Sequence, residues 1–401
     1  MGKWRYYTPD GINDILPNEC ATKREIESKL RSLFTLNGYL EIETPTLEFY
    51  DVYAAGDGFA PQEGMFKFFD QQGRILSLRY DGTVPAARLA STVLKDVKPP
   101  IRLSYIGNMF RYNETGGGKQ KEFTQAGIEL MGPKTPQADA QVITTAIESA
   151  ILLGITDLQV SLGEVEFFKG LMEEWKIDPE AAELLPKLID GKEMVALEDL
   201  CEQRNLSDNA KKVLLSMASS YGTYDLIDEM RCLVTNSRSL QALDNLSEVL
   251  RILEEEGVLK YVSLDLGMLQ SLNYYTGIIF KGFTYGIGFP LLSGGRYDNV
   301  VGEFGRELSS TGFSLGINFA MTALNRQKKP AVPCGPSLVV GYDTASRAKA
   351  FAYVREQREK NINTELDCMN LQPEELLAYA AAKGIGRTVF IDAAGVLQNL
   401  G

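Results

Sequence analysis

The residues best suited to bind a small polar ligand lie on a predicted β-hairpin over residues 105–131. This stretch has an apolar strand pattern, a glycine-rich turn and a second strand pattern. Because side chains alternate across a strand, Gln125 and Glu129 share one face of the second strand, whereas Ile128 and Leu130 share the other. A half-buried charged glutamate needs a cation or hydrogen-bond donor opposite it, which a ligand could supply. The hairpin taken alone favours a different interpretation, in which this polar face meets solvent.

A second set of polar residues follows the predicted hairpin over residues 65–78. If its second strand continues through the sequence SLRYDGT, the side chains of Arg79, Asp81 and Thr83 share one face. The competing interpretation is that Asp81 or Thr83 caps the next helix, since Pro85 stands at an early helical position. For either residue taken alone, capping is the better interpretation.

Composition excludes several kinds of chemistry. The chain contains no histidine, so Ser-His or Cys-His catalysis and histidine-ligated metals are ruled out, and acid–base work falls to carboxylates, Lys or Tyr. The five cysteines are widely spaced and form no CxxC pair, which indicates reduced thiols rather than disulfides or a zinc site. We therefore expect neither a metal nor a cofactor.

Length and charge narrow the class of protein further. The 401 residues suffice for two or three domains, and the formal net charge is −12. Proteins that bind nucleic acid usually present a basic surface, so this charge argues against a nucleic-acid partner. No stretch approaches about 18 consecutive apolar residues, and residues 1–20 lack the apolar core of a signal peptide. We expect a soluble, cytoplasmic protein with no membrane partner.

Helix and strand patterns alternate up to about residue 165, after which the chain changes character. The earlier part predicts a helix over residues 22–37, a strand over 39–45, the two hairpins, a helix over 135–154 and a strand over 158–162. Residues from about 165 to 257 are charged and helical, which indicates a helical insertion.

Strand patterns resume near residue 261. Residues 293–298, SGGRYD, predict a turn, and residues 312–324 predict a strand that leads into a helix. Residues 326–336 are the clearest linker, and residues 337–401 show the β-α-β-α-β pattern of a small α/β domain. The predicted fold class is α+β.

Taken in order, these stretches resemble the class II aminoacyl-tRNA synthetases, and histidyl-tRNA synthetase in particular. Residues 38–45, 109–129 and 312–319 resemble motifs 1, 2 and 3 of that family. Residues 79–83 resemble its R-P-E-G-T sequence, and residues 272–277 and 294–298 resemble its histidine-specific sequences R-G-L-D-Y-Y and G-G-R-Y-D. The resemblance implies a synthetase-like antiparallel sheet flanked by helices over residues 1–325, and a shortened anticodon-binding-like domain over residues 337–401.

The resemblance also implies a retained pocket for histidine. Asp81, Thr83 and Gln125 match residues that hold the ammonium and backbone of the amino acid, whereas Glu129, Tyr275 and Tyr297 match residues around the imidazole. Carboxylates suit an ammonium group, and Glu with Tyr can satisfy two ring nitrogens. The full predicted ligand-binding set is Asp81, Thr83, Arg111, Gln125, Glu129, Tyr274, Tyr275 and Tyr297.

The residues that would serve ATP are replaced. Where the synthetases have arginines in motif 3 and in R-G-L-D-Y-Y, this chain has Phe319 and Gln270. The glutamate that reads adenine is Asn113, and the arginine of the motif 2 loop is Lys119. Loss of cations that stabilise charge on the α-phosphate argues against adenylation, although Arg111 is kept.

This asymmetry is similar to that of the synthetase paralogues that regulate the short-form ATP phosphoribosyltransferase in histidine biosynthesis. It implies a non-catalytic subunit that partners the catalytic subunit, with histidine as effector, and a homodimer within a hetero-oligomer. The alternatives are a divergent histidyl-tRNA synthetase and a histidine sensor with another partner. An effector site at the subunit interface, in place of the pocket, also stays open.

Overall fold

The computed structural model describes residues 3–54, 59–112, 120–269, 274–328 and 334–401. Contacts between Cα atoms divide the chain into two compact units, Met1–Ala331 and Val332–Gly401. Within the described ranges, no helix has both the length and the apolar character needed to span a membrane.

The helices and strands follow one another along both units. The strands are β1 Leu40–Glu41, β2 Leu47–Phe49, β3 Lys67–Phe69, β4 Ile75–Leu78, β5 Ile101–Phe110, β6 Glu122–Gly132, β7 Gln159–Glu164, β8 Val262–Leu264, β9 Ile278–Phe283, β10 Leu292–Arg296, β11 Ser309–Gly316, β12 Leu338–Tyr342, β13 Thr364–Leu366, β14 Arg387–Ile391 and β15 Leu397–Asn399. The α helices are α1 Pro17–Leu36, α2 Asp51–Ala54, α3 Thr83–Ser91, α4 Pro136–Leu152, α5 Val165–Glu174, α6 Pro179–Asp190, α7 Met194–Gln203, α8 Asp208–Ser219, α9 Tyr224–Arg231, α10 Ser237–Glu255, α11 Ile317–Arg326, α12 Arg347–Glu359 and α13 Pro373–Lys383.

The first unit is built on an eight-stranded sheet in the order β1-β5-β6-β11-β10-β9-β7-β8. The central pairs are antiparallel, and the pairs at both edges, β1 with β5 and β7 with β8, are parallel. Strands β5 and β6 form the predicted hairpin, which starts at Ile101, four residues before the predicted start. A separate sheet β2-β4-β3 contains the predicted hairpin over residues 65–78.

One face of the large sheet carries the main core. The residues that pack there include Ile26, Leu30 and Phe34 of α1, Ile128 and Leu130 of β6, Ile143 and Ile147 of α4, and Leu246 and Leu250 of α10. Ile128 and Leu130 therefore face the core, as their alternation with Glu129 predicts. Helix α4 begins where expected, because Pro136 is its first residue and the Thr135 hydroxyl accepts a hydrogen bond from the Ala138 N–H at 3.3 Å.

The predicted turn over residues 293–298 is wrong in its first part, because Leu292–Arg296 is strand β10. The glycines serve close strand packing rather than a turn. A Cβ on Gly294 would lie 2.3 Å from the Gly312 carbonyl oxygen, and one on Gly295 would lie 2.5 Å from that of Ile278. Side chains at these positions would push the neighbouring strands away.

The predicted strand over residues 39–45 is also much shorter, since only Leu40–Glu41 pairs with β5. The helical insertion is present as helices α5 to α10, Val165–Glu174 through Ser237–Glu255. In the second unit, β13, β12 and β14 are parallel, and β15 adds an antiparallel edge strand. Apolar side chains pack on both faces of this smaller sheet.

Candidate functional site

Glu129 lies in the middle of β6, paired with Leu103 of β5 and Gly312 of β11. Only 1% of its surface is exposed, so the solvent-facing interpretation of this strand face is wrong. The Tyr105 hydroxyl donates to Glu129 Oε1 at 3.3 Å, and the Tyr297 hydroxyl donates to Oε2. The carboxyl group also presses against β11, where a Cβ on Gly312 would lie 1.9 Å from Oε2.

This environment changes the acidity of Glu129. Burial raises its pKa to about 8, and the nearby Asp81 carboxyl adds to the rise, while hydrogen bonds from Tyr297, Thr83 and Tyr105 reduce it. The carboxyl group therefore tends to hold a proton at neutral pH.

Tyr105 belongs to the site although the sequence did not single it out. It stands directly opposite Gly127 in the β5–β6 ladder, and a Cβ on Gly127 would lie 2.5 Å from its Cζ. On the other side, a Cβ on Gly82 would lie 2.2 Å from the same ring. The ring thus fills a slot that two glycines leave open. The sequence signal for Tyr105 was a tyrosine opposite a glycine in the hairpin. Recognising it requires knowing how the residues of β5 and β6 pair.

The segment before α3 brings Asp81 and Thr83 to this face. Asp81 Oδ1 accepts a hydrogen bond from the Val84 N–H at 3.0 Å, so Asp81 caps the helix as its position suggests. Burial raises the pKa of Asp81, and the Val84 N–H and the Arg111 charge counter that rise. The Thr83 hydroxyl lies 3.5 Å from the Tyr105 hydroxyl.

The predicted continuation of a strand through Arg79, Asp81 and Thr83 is wrong, because β4 ends at Leu78 and α3 begins at Thr83. Arg79 instead donates from Nη1 to the Thr44 carbonyl at 2.7 Å and from Nε to the Asn108 carbonyl at 2.6 Å. Its guanidinium holds the surrounding backbone together.

Gln125 is 8% exposed, and its side-chain N–H donates to the Ser314 hydroxyl at 3.4 Å. Within the described residues its Oε1 atom has no hydrogen-bond partner. A buried carbonyl oxygen without a donor is costly, and the ammonium of an amino acid would satisfy it.

Three tyrosines form an aromatic wall beside Glu129. The ring of Tyr274 lies 4.9 Å from that of Tyr275 and 5.8 Å from that of Tyr297, centroid to centroid. Burial raises the pKa of all three hydroxyls, so they remain neutral hydrogen-bonding groups. A buried ion pair supports the wall, because Arg296, next to Tyr297, bonds both carboxylate oxygens of Asp139 at 2.9 and 3.1 Å.

Arg111 is the cation of the site. Its guanidinium lies 4.6 Å from the centroid of the Tyr80 ring and 5.0 Å from that of Phe123. Burial raises the pKa of Asp81 and of Tyr275, and the Arg111 charge counters part of each rise, which places it within electrostatic reach of the pocket. Such a stacked guanidinium suits a carboxylate ligand.

Aromatic side chains surround Phe319, which stands where the synthetases have the motif 3 arginine that serves ATP. Phe319 lies parallel to Phe123, with centroids 6.2 Å apart, and its centroid lies 4.3 Å from that of Phe289. Next to it, Asn318 accepts from the Thr124 N–H at 2.8 Å and donates to Gln120 at 2.8 Å. The other substituted positions, Asn113, Lys119 and Gln270, lie outside the described residues.

Comparison with known proteins places the chain in a family. A family profile described as histidyl-tRNA synthetase matches residues 11–319. A protein of Acetivibrio thermocellus named ATP phosphoribosyltransferase regulatory subunit is 50% identical over 390 residues, which cover 96% of this chain and 92% of that protein. A protein of the same name from Ruminiclostridium cellulolyticum is 45% identical over 395 residues, covering 98% of this chain and 93% of that protein. This chain belongs to the family of ATP phosphoribosyltransferase regulatory subunits. The predicted family is confirmed.

Solved structures of the family and of related synthetases share the fold. A Bacillus halodurans protein described as an ATP phosphoribosyltransferase regulatory subunit/histidyl-tRNA synthetase has a TM-score of 0.86 at 30% identity, with 98% of each chain covered. Histidyl-tRNA synthetase from Nostoc has a TM-score of 0.84 at 20% identity, covering 99% of this chain and 97% of the other. The predicted synthetase-like fold is confirmed, whereas the ligand-binding roles of the pocket residues stay predictions.

Proposed function

We propose that this chain is the non-catalytic regulatory subunit of a short-form ATP phosphoribosyltransferase and that it binds free histidine in the pocket around Glu129. The observation that carries the proposal is the 50% identity, over 96% of the chain, to a protein named as such a regulatory subunit. Its partner is then the catalytic subunit of the same enzyme.

The pocket supports histidine as the ligand. Its polar groups divide into two sets, because Asp81 and Gln125 Oε1 suit an ammonium while Glu129 and the tyrosine hydroxyls suit ring nitrogens. Arg111 supplies a cation for the carboxylate. One amino acid that carries an ammonium, a carboxylate and an imidazole uses all of these groups.

The aromatic cluster of Phe123, Phe289 and Phe319 supports a role without adenylation. A phenyl ring cannot stabilise the negative charge that develops on an α-phosphate, which the arginine at this position does in the synthetases. Free histidine bound by this chain would then act as a signal rather than as a substrate.

Feedback through this pocket is a coupling free energy between histidine and the assembled enzyme. Histidine must prefer one state of the assembly, and ligands of the catalytic subunit must change histidine affinity by the same factor. We also propose a homodimer through residues 38–45, where Leu40 on the short edge strand β1 is 72% exposed. Residues 337–401 are proposed as a shortened anticodon-binding-like domain.

The test measures phosphoribosyl-ATP formation by a short-form catalytic subunit from the same genome, with and without this protein and then with histidine. We expect activation by the protein and inhibition by histidine. No change in turnover, with both proteins folded, would contradict the regulatory role.

Variants of the pocket locate the effector. Glu129→Ala and Tyr275→Phe should each weaken histidine inhibition while co-purification with the catalytic subunit persists. Unchanged histidine sensitivity in both variants would move the effector site to a subunit interface.

The second candidate function is a divergent histidyl-tRNA synthetase, which the matching profile over residues 11–319 favours. Histidine-dependent exchange of pyrophosphate into ATP separates the two functions. We expect no exchange, because Phe319 and Gln270 provide no cation. Exchange above the background of a Glu129→Ala sample would establish the synthetase.

A further inference from the structure

We propose that Glu129 and the ring of the bound ligand share a single proton, so that the pocket selects a neutral azole over a permanent cation. The inference rests on the proposed histidine pocket and concerns the chemical form in which the ligand binds. A neutral azole ring both donates and accepts hydrogen bonds, and a protonated carboxyl group can do the same.

The surroundings of Glu129 carry the proposal. The titratable and polar groups that face it come from several elements: Tyr105 from β5, Asp81 and Thr83 from the start of α3, Tyr297 after β10, and Tyr274 and Tyr275 before β9. On the β11 side its carboxyl group lies against Gly312, where an added Cβ would be 1.9 Å from Oε2. Among the described residues, the groups that act most strongly on Glu129 are hydroxyls and a second carboxylate. The nearby cation, Arg111, acts instead on Asp81 and Tyr275.

A buried carboxyl group in these surroundings keeps its proton to a higher pH than an exposed one does. Both of its oxygens accept from tyrosine hydroxyls, yet burial and Asp81 still raise its pKa to about 8. A carboxyl group in these surroundings favours its neutral form near pH 7, whereas an ionised glutamate would attract any cation.

The proton count sets the pH dependence of binding. The ring of free histidine loses its proton at about pH 6.5. Between that pH and the pKa of Glu129, about 8, the free partners carry one proton between them, as the complex does. Affinity is then flat in this window and falls outside it, on the acid side because a proton must leave and on the alkaline side because one must be taken up.

Titration calorimetry of the full chain with histidine tests this count. Near pH 7, in two buffers of different ionisation enthalpy, we expect no net proton exchange, and less than about a twofold change in affinity between about pH 6.8 and 7.8. If Glu129 is instead ionised in the empty pocket, binding takes up about one proton and affinity falls about tenfold per pH unit above about 6.5, which would overturn the proposal. Absence of binding at every pH would overturn the histidine pocket itself.

A ligand whose ring cannot become a cation sharpens the test. The histidine analogue with a 1,2,4-triazole ring stays neutral throughout this range, so we expect it to bind within about tenfold of histidine and without the loss of affinity at acid pH. Failure of this analogue to bind, while histidine does, would mean that the pocket requires an imidazolium.

Matched variants test whether the Glu129 carboxyl group causes the loss of histidine affinity at alkaline pH. Glu129→Gln cannot lose a proton, so we expect weaker binding without the extra fall in affinity above about pH 8. Glu164→Gln is the control, because Glu164 is equally buried, has its pKa raised to about 8 by burial, and bonds Asn245 and the Glu166 N–H outside the pocket. If histidine affinity still fell above about pH 8 in Glu129→Gln as it does in the wild type, the proposal of a shared proton would be contradicted.

Discussion

Single hydroxyl groups hold the Glu129 carboxyl in place. Tyr105 reaches it from the neighbouring strand, and Tyr297 reaches it from a position 168 residues away in sequence. The phenol groups keep their protons, because burial raises the pKa of both tyrosines well above the ordinary value. They therefore donate to Glu129 across the physiological pH range, whatever its own protonation state.

Loss of the Tyr105 hydroxyl should weaken histidine binding. In Tyr105→Phe the ring still fills the slot between Gly82 and Gly127, but Glu129 loses one donor, and we expect affinity to fall about fivefold to tenfold, for a hydrogen bond worth about 1 to 1.5 kcal/mol. Tyr379→Phe is the matched control, since its hydroxyl donates to the Glu365 carboxylate in the second unit. Calorimetry that gives equal affinities for both variants would remove Tyr105 from the site.

The buried acid Glu164 should make stability depend on pH. Burial raises its pKa from 4.5 to about 8, so the native state binds the proton more tightly than the unfolded chain, and this contribution to stability is lost as pH rises through about 8. Relative to the wild type, Glu164→Gln should gain free energy of unfolding between about pH 4.5 and 8, by at most about 1.4 kcal/mol per pH unit. Parallel pH profiles of thermal unfolding for Glu164→Gln and the wild type would contradict this.

At the scale of the elements, the pocket depends on how closely β6, β10 and β11 approach one another. Glycines at 294 and 312 leave the space that the Glu129 carboxyl and the neighbouring backbone occupy. The helical insertion contacts the same region, because the Val165 N–H donates to the Gly277 carbonyl at 3.2 Å and Lys169 Nζ to the Tyr275 carbonyl at 3.4 Å. The segment that carries Tyr275 is thus attached to helix α5.

A methyl group at Gly312 should displace Glu129. Because its Cβ would lie 1.9 Å from Oε2 and 2.5 Å from the Ile128 carbonyl, Gly312→Ala should reduce histidine affinity more than about tenfold and cost about 1 to 3 kcal/mol of stability. Gly288→Ala is the control, since among the described residues beyond its two chain neighbours no heavy atom lies within 4 Å of the added carbon. Wild-type binding by Gly312→Ala would show that Glu129 does not need this position.

For the whole molecule, the pocket residues belong to the unit Met1–Ala331 and the smaller sheet belongs to the unit Val332–Gly401. Each unit has its own apolar core, and all eight predicted ligand-binding residues belong to the first. A chain that ends after residue 331 should therefore bind histidine within about twofold of the full chain, as measured by calorimetry. Loss of affinity in a shortened chain that still unfolds cooperatively would assign part of the site to the second unit.

The sequence alone determined part of the local structure and the chemical inventory. Alternation predicted that Ile128 and Leu130 lie opposite Glu129, the Thr-Pro pair predicted the start of α4, and the absence of histidine excluded whole classes of catalysis. These features depend on neighbours along the chain. Motif order, through resemblance, identified the family.

Only the tertiary structure decided which side chains contact one another. The burial of Glu129, its hydrogen bond with Tyr297, the slot for Tyr105 and the strand at Gly294 all depend on the register of β5, β6, β10 and β11. Sequence patterns leave this register open, because an alternating strand can face solvent or a covering helix equally well. A polar strand face therefore became a buried acid only when α3 and the tyrosines covered it.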